Sequence, residues 1–253
     1  MRDLLISQPA ERVCQITLNR PRQLNALARQ TILELHQALS NFETSSDDIL
    51  LLTGSGRFFC FGADFLEFED RDALPALLQS FQDLILRLYH CPRITVACLN
   101  GFATGAGLDL ALACDFRLAS DKCKVGEAYI SMGLVPDGGG TFFLTRLLGP
   151  GRALELLATG DSIQAQEAQR LGILHRLYNS ETLQQESIEF AKLLCEKPQA
   201  ALRRVKKLVK STGADLKTAL EREREAQLLC FEDPDHQAIL RDFLARRKDR
   251  KGN

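Results

Sequence analysis

The sequence predicts an α/β fold that ends in a helical C-terminal segment. Three observations predict it. β-rich runs alternate with helix-period apolar stripes along the first half of the chain. Two of the apolar runs are followed at once by glycine-punctuated turns. From Pro150 onward the pattern turns helical, as in RALELLATG, AQEAQRLGIL and TLQQESIEFAKLLC.

The elements follow in order. Val13 to Leu18 (VCQITL) is a β-rich run that Asn19-Arg20-Pro21 ends. Ala26 to Phe42 carries Leu27, Ile32, Leu35, Leu39 and Phe42 at helical spacing. Ile49 to Thr53 (ILLLT) reads as a strand buried on both faces, stopped by Gly54-Ser55-Gly56. Leu74 to Tyr89 is helical again, with a stripe of Leu77, Leu78, Phe81, Leu84, Ile85 and Leu88, and Cys91-Pro92 stops it. Ile94 to Leu99 is the next strand, and a helix through Leu112 follows the turn at Gly101 to Gly107. Phe116 to Ala119 and Lys124-Val125 are short strand candidates. In RRVKKLVK (Arg203 to Lys210), Leu202, Val205, Leu208 and Val209 predict a packing face and the basic residues an exposed one. The organisation expected is a core over 1–194 and a helical region over 195–253.

Composition narrows the function. The 253 residues hold 32 Lys+Arg against 33 Asp+Glu, a net charge of −1. Nucleic-acid domains carry a basic excess, so nucleic acid is not an expected partner. The charge is uneven: residues 195–253 hold 15 basic and 10 acidic side chains, leaving 17 and 23 in the first 194. No apolar run approaches the ~20 residues needed to span a bilayer, and the first residues lack a secretory pattern, so a cytoplasmic location away from membranes is expected. The 8 cysteines fall largely inside apolar runs such as TVACL and LALAC and form no CxxC pair, which predicts free thiols and no metal site.

Three segments carry candidate chemistry: TGSGRFFCFGADF (Thr53 to Phe65), NGFATGAGLDLAL (Asn100 to Leu112) and GEAYISMGLVPDGGGTFFLTRLLG (Gly126 to Gly149). None has P-loop or GxGxxG spacing. Taken alone, the first two are either structural turns or a pair of backbone N–H donors converging on one oxygen. In the third, Asp137 sits on a turn among Met132, Leu134, Val135, Phe142 and Phe143. It is either a general base with a raised pKa or a capping aspartate.

As an ordered set, LNRP (Leu18 to Pro21), Asn25-Ala26-Leu27, FFCFGADF, NGFATGAGLDLALACDFRLAS, GLVPDGGG and RALELLATGDSIQAQEAQRLGIL resemble the crotonase, or enoyl-CoA hydratase/isomerase, family. The resemblance runs from about residue 13 to about 250. It implies a spiral of ββα units, C-terminal helices that assemble trimers or dimers of trimers, and an acyl-CoA substrate. Coenzyme A is then part of the substrate, and no separate cofactor is expected. It also implies an oxyanion hole, with the backbone N–H groups of Phe61 and Ala106 as the donors. Arg22, Ala63, Asp64 and Arg247 are expected at the coenzyme A moiety, with Arg246 and Lys248 beside Arg247.

The reaction depends on the acids. Where hydratases of the family carry two glutamates, this chain has Asp109 and Tyr129. Glu127, two residues from Tyr129, need not reach the same point. Asp137 in GLVPDGGG is similar to the carboxylate of family isomerases. The resemblance therefore implies enolate chemistry, most simply a double-bond shift or a rearrangement of an aryl or epoxy acyl-CoA. On that resemblance Asp137 is the acid/base, Asp109 a second acid or an orienting group, and Tyr129 either a donor or a packing residue. A hydratase, a polyketide-pathway homologue acting on a carrier-protein thioester, and a non-catalytic binding homologue are the alternatives. His36, His90, His175 and His236 match no catalytic position of the main pattern. His36 reads as structural or exposed, and His236, in FEDPDHQAIL, as a solvated histidine, the alternative being the histidine that related decarboxylases use near the C-terminus.

Overall fold

The computed structural model describes residues 3–210, 216–232 and 234–249. Ten strands form two sheets. The larger has the order β1-β2-β3-β5-β7-β10 and the smaller β4-β6-β8-β9. The strands are β1 (Leu4–Ala10), β2 (Val13–Leu18), β3 (Ile49–Gly54), β4 (Phe58–Cys60), β5 (Ile94–Leu99), β6 (Phe102–Thr104), β7 (Phe116–Ser120), β8 (Lys124–Gly126), β9 (Ser162–Gln164) and β10 (Arg176–Tyr178). The helices are α1 (Arg29–Thr44), α2 (Leu74–His90), α3 (Ala106–Ala113), α4 (Gly140–Thr159), α5 (Ala165–Arg170), α6 (Leu183–Cys195), α7 (Gln199–Lys210), α8 (Leu216–Glu232) and α9 (Pro234–Asp249).

The two sheets grow together. β3, β5 and β7 enter the large sheet, and the strand after each (β4, β6, β8) enters the small one. Within each sheet these strands are parallel. Each pair advances one step along both sheets, which is a spiral of ββ units with helices between them. β1 closes one edge of the large sheet as an antiparallel hairpin with β2.

β3 shows why its sequence is apolar throughout. Leu50 and Leu52 face the core shared with α1 and α2, while Ile49 and Leu51 face the second core under α6. Each such buried aliphatic side chain stabilises the fold by about 1.5–3 kcal/mol. α6 seals that second face with Leu183, Phe190, Ala191 and Leu194. α2 presents Leu77, Leu78, Phe81, Leu84, Ile85 and Leu88 to the first core, the i, i+3, i+4 stripe its spacing predicts.

α7 meets its expected orientation only in part: Leu202 packs against the second core, and the side chain of Leu208 lies outside the described residues. Val205 and Val209 are 55% and 66% exposed, whereas Lys206 is buried. Lys206 and Lys210 both reach Asp115, at 2.6 and 2.7 Å, and Lys206 also donates to the carbonyl of Arg93. A buried carboxylate needs paired charge, and two lysines supply it, so Lys206 and Lys210 turn inward while Arg203, Arg204 and Lys207 stay exposed. No helix among the described residues is long and apolar enough to cross a membrane.

Candidate active site

The site lies where the ends of β4 and β6, the N-terminus of α3 and the turn before α4 meet. Asn25 fixes the first loop. It is buried at a positive φ of 56° and donates to the carbonyls of Ser55 and Phe58, while its Oδ1 accepts from the Arg20 N–H. Short amide side chains tolerate that backbone region, which accounts for asparagine here.

The direction of the backbone donors follows from one isolated parallel bridge, Leu27 with Ala63. Its two hydrogen bonds are Leu27 N–H to the Gly62 carbonyl and Asp64 N–H to the Leu27 carbonyl. In such a bridge the paired residue's own N–H points away from the partner strand. The Ala63 N–H therefore faces the other way, and no hydrogen bond engages it among the described residues. Gly62, at φ +100°, makes the reversal possible. The expectation for Phe61 fails here: its N–H donates to the Leu24 carbonyl at 3.1 Å. Its ring is 43% exposed and stacks near Phe58 and Phe102.

Ala106 is the first residue of α3, so its N–H has no partner within the helix. A Cβ on Gly62 would lie 4.0 Å from the Ala106 nitrogen. The turn that carries Ala63 thus abuts the first turn of α3. Ala63 and Ala106 are brought together; Phe61 is not available as a donor.

Asp109, on the first turn of α3, is fully buried. Asp137, on the turn before α4, is 5% exposed. Tyr129 comes from a 3-10 helix over Ala128–Met132, and its ring packs against Gly105. Its Oη lies 2.6 Å from Asp109 Oδ2 and 2.9 Å from Asp137 Oδ1. A phenol has one proton. When both contacts are hydrogen bonds, the tyrosine donates one and a protonated carboxyl donates the other. Burial raises the Asp137 pKa to about 6, against the opposing pull of the Tyr129 and Gln227 hydrogen bonds. Burial and the neighbouring carboxylates hold Tyr129 well above the usual phenol range.

The three glycines after Asp137 have a steric cause. A Cβ on Gly138 would lie 2.8 Å from Asp109 Oδ2 and 2.5 Å from the Phe81 ring, and one on Gly140 would lie 2.8 Å from Asp109 Oδ1. The backbone entering α4 is pressed onto the Asp109 carboxyl. The Gly140 position also lies 3.1 Å from Glu127 Oε1, so Glu127 converges on the same cluster from behind, which its sequence position did not promise. The N-terminus of α4 places its positive dipole end beside these carboxylates.

The expected coenzyme A residues divide. Arg22 is exposed on the turn after β2. Asp64 is 4% exposed and its carboxylate pairs with Arg20 at 2.9 Å, while also accepting from the Leu66 N–H. It therefore anchors the loop, and a carboxylate there has no reason to face phosphates. Arg246 is exposed on α9, and the side chain of Arg247 lies outside the described residues.

Sequence reasoning missed Ala63 as a donor, Gln82 and Gln227. Both glutamines are buried. Gln82 donates to the carbonyls of Asp137 and Leu220, and Gln227 touches Asp137 Oδ2. A polar residue inside an apolar stripe was the available signal. His236 is buried, not solvated, with Nδ1 2.6 Å from the Met132 carbonyl. His36 is tied by Nε2 to the Ser80 carbonyl at 3.0 Å.

Comparisons with known proteins place the chain in a family. The enoyl-CoA hydratase/isomerase family model matches residues 8–251. A crotonyl-CoA hydratase of Syntrophomonas wolfei is 34% identical over 250 residues, covering 96% of each chain. A 1,2-epoxyphenylacetyl-CoA isomerase of Escherichia coli K12 is 32% identical over 259 residues, covering 98% of this chain and 97% of the other. Among solved structures, an enoyl-CoA hydratase from Bacillus halodurans superposes with a TM-score of 0.88 at 27% identity, covering 95% of this chain and 99% of its own. The full-length match and the shared fold lead to one conclusion: the chain belongs to the enoyl-CoA hydratase/isomerase family.

Proposed function

We propose that the chain is an acyl-CoA isomerase that moves a double bond through an enolate. The observation that carries this reading is the Tyr129 hydroxyl bridging Asp109 and Asp137 at 2.6 and 2.9 Å. A hydratase must hold a water between its two acids. Here the phenol oxygen occupies the space between the carboxyls, and the three groups together hold a proton that can be passed along them. A double-bond shift needs that proton transfer and no water.

The steps follow from the geometry. The thioester oxygen sits between the N–H groups of Ala63 and Ala106. Asp137, ionised above about pH 6, takes the proton from C2 of a 3-enoyl thioester. The C2–H electron pair becomes the enolate, and its negative charge builds on the oxygen facing the two N–H groups. The proton then returns at C4 from Asp137, or from Asp109 through Tyr129. The double bond is left between C2 and C3, and atoms and charge balance. Arg22, exposed on the turn after β2, and Arg246, exposed on α9, are the cations assigned to the coenzyme A phosphates. Val205, Val209 and Leu229, all more than half exposed, suit assembly with further copies of the chain.

One observation favours a second reading. Glu127 and Asp109 both lie close to where a Gly140 Cβ would be, at 3.1 and 2.8 Å, so two buried carboxyls flank one point. That pair would serve hydration, the activity named for the Syntrophomonas wolfei relative. The purified protein should convert 3-enoyl-CoA to conjugated 2-enoyl-CoA, read as a gain in ultraviolet absorbance, and Asp137→Asn should lose most of that rate. Loss of conjugation from 2-enoyl-CoA, with no gain from 3-enoyl-CoA, would replace the isomerase reading by the hydratase one.

A further inference from the structure

α8 contributes a fully buried primary amide, Gln227, to the turn that carries Asp137. Its Oε1 accepts the Val135 N–H at 3.1 Å. That contact settles which end of the amide is oxygen, because a backbone N–H needs an acceptor. The NH2 end therefore faces Asp137 Oδ2, at 3.4 Å. Tyr129 holds the other oxygen, Oδ1, and Gln82 of α2 holds the Asp137 backbone carbonyl at 3.0 Å. Gln82 also donates to the Leu220 carbonyl of α8 at 2.7 Å. Two amides thus clamp the turn between α2 and α8, and both carboxylate oxygens face a fixed group. A carboxyl contacted at both oxygens, at 2.9 and 3.4 Å, and held at its own backbone is restricted in its side-chain rotation.

We propose that Gln227 is a positioning residue: pinned by the Val135 N–H, it fixes the plane of the Asp137 carboxylate toward the Tyr129 side of the site. It makes α8 part of the acid/base apparatus. The proposal rests on the reading of Asp137 as the proton acceptor. Among the described residues, the ionisable groups near Asp137 are Tyr129 and Glu127 from the 3-10 segment, Asp109 from α3, and His236 of α9 behind Gly133. None of these is a cation placed against the Asp137 carboxylate, so hydrogen bonds favour its ionised form: that of Tyr129 first, then its own backbone N–H, then Gln227.

Gln227→Leu and the isosteric Gln227→Glu test this, with Asp137→Asn as reference. Two readouts are used: the pH profile of kcat/KM, and a 13C NMR titration of the Asp137 carboxyl in the substrate-free protein, assigned by its loss in Asp137→Asn. Losing the donor removes a hydrogen bond to the charged form, so the Asp137 inflection should move up by about one pH unit in Gln227→Leu. It should move further in Gln227→Glu, where a second carboxyl meets the first. kcat should fall at least tenfold with KM little changed. An unmoved inflection in both variants, with activity falling only as far as thermal stability does, would reduce Gln227 to a packing residue and overturn the proposal. If Asp137→Asn keeps full turnover, the base assignment fails instead. The NMR titration still reports the hold of Gln227 on Asp137 in that case, so the two failures are separable.

Discussion

Tyr129 places its hydroxyl oxygen 2.9 Å from Asp137 Oδ1 while lying 2.6 Å from Asp109. The pair makes the proton count of the site depend on one phenol. Tyr129→Phe keeps the ring against Gly105 and removes only the oxygen. Isomerase kcat is expected to fall by about a hundredfold or more, the usual weight of a positioned proton-transfer group. Circular dichroism and the melting temperature should change little. A fall in kcat of less than threefold would make the hydroxyl a bystander.

Ala106→Pro tests the oxyanion hole at its backbone. Proline is tolerated at the first residue of a helix, where the N–H is unpaired. The substitution deletes one donor and leaves α3 in place. kcat should drop about 10²–10³-fold, the effect of one oxyanion donor. Binding of a saturated acyl-CoA, measured by calorimetry, should weaken far less than turnover does.

Gly140→Ala would set a methyl 2.8 Å from Asp109 Oδ1 and 3.1 Å from Glu127 Oε1. The Asp109 carboxyl has little room to retreat, because the Gly138 backbone is also close against it. A loss of about 1–3 kcal/mol in denaturant unfolding is expected, as for other overpacked sites. Activity should fall with it. Gly151→Ala, where a Cβ meets nothing within 4 Å, is the matched control and should be near neutral.

Asp137 also sets a pH dependence of stability. Its folded pKa is raised to about 6, so the native state binds this proton more tightly than the unfolded chain does. Below about pH 4 the group is protonated in both states and contributes nothing. As pH rises from about 4 to about 6, stability falls, and above that the cost is constant, at most ~3 kcal/mol for a shift of about two units. Asp137→Asn should therefore be more stable than the wild type at pH 7–8 and about equal at pH 4, by urea titration at each pH. Equal stability at both would mean that the carboxyl is not strained by burial.

Much of this was legible in the residues. β3 and β5 are apolar throughout because both faces are buried, and α1 and α2 carry complete helical stripes. β4, β6, β9 and β10 are three residues each, too short to show a period. Val205 and Val209 of α7 lie outward, against expectation, because Asp115, 91 residues away from Lys206 in sequence, draws that lysine inward. Asp109 and Asp137 were found through their motifs. The misassignment of Phe61 has a physical source: which N–H is left unengaged depends on the Leu27–Ala63 bridge and the turn at Gly62, and a glycine-rich string does not state a direction. Gln227 was hidden because its partner is brought in only by the docking of α8.

The most direct measurement is product analysis after turnover of 3-enoyl-CoA in D2O by chromatography and mass spectrometry. A proton passed among Asp137, Tyr129 and Asp109 predicts 2-enoyl-CoA with no added oxygen and deuterium, where it enters, at C4. A 3-hydroxyacyl-CoA carrying the elements of water, with no conjugated product preceding it, would contradict the account.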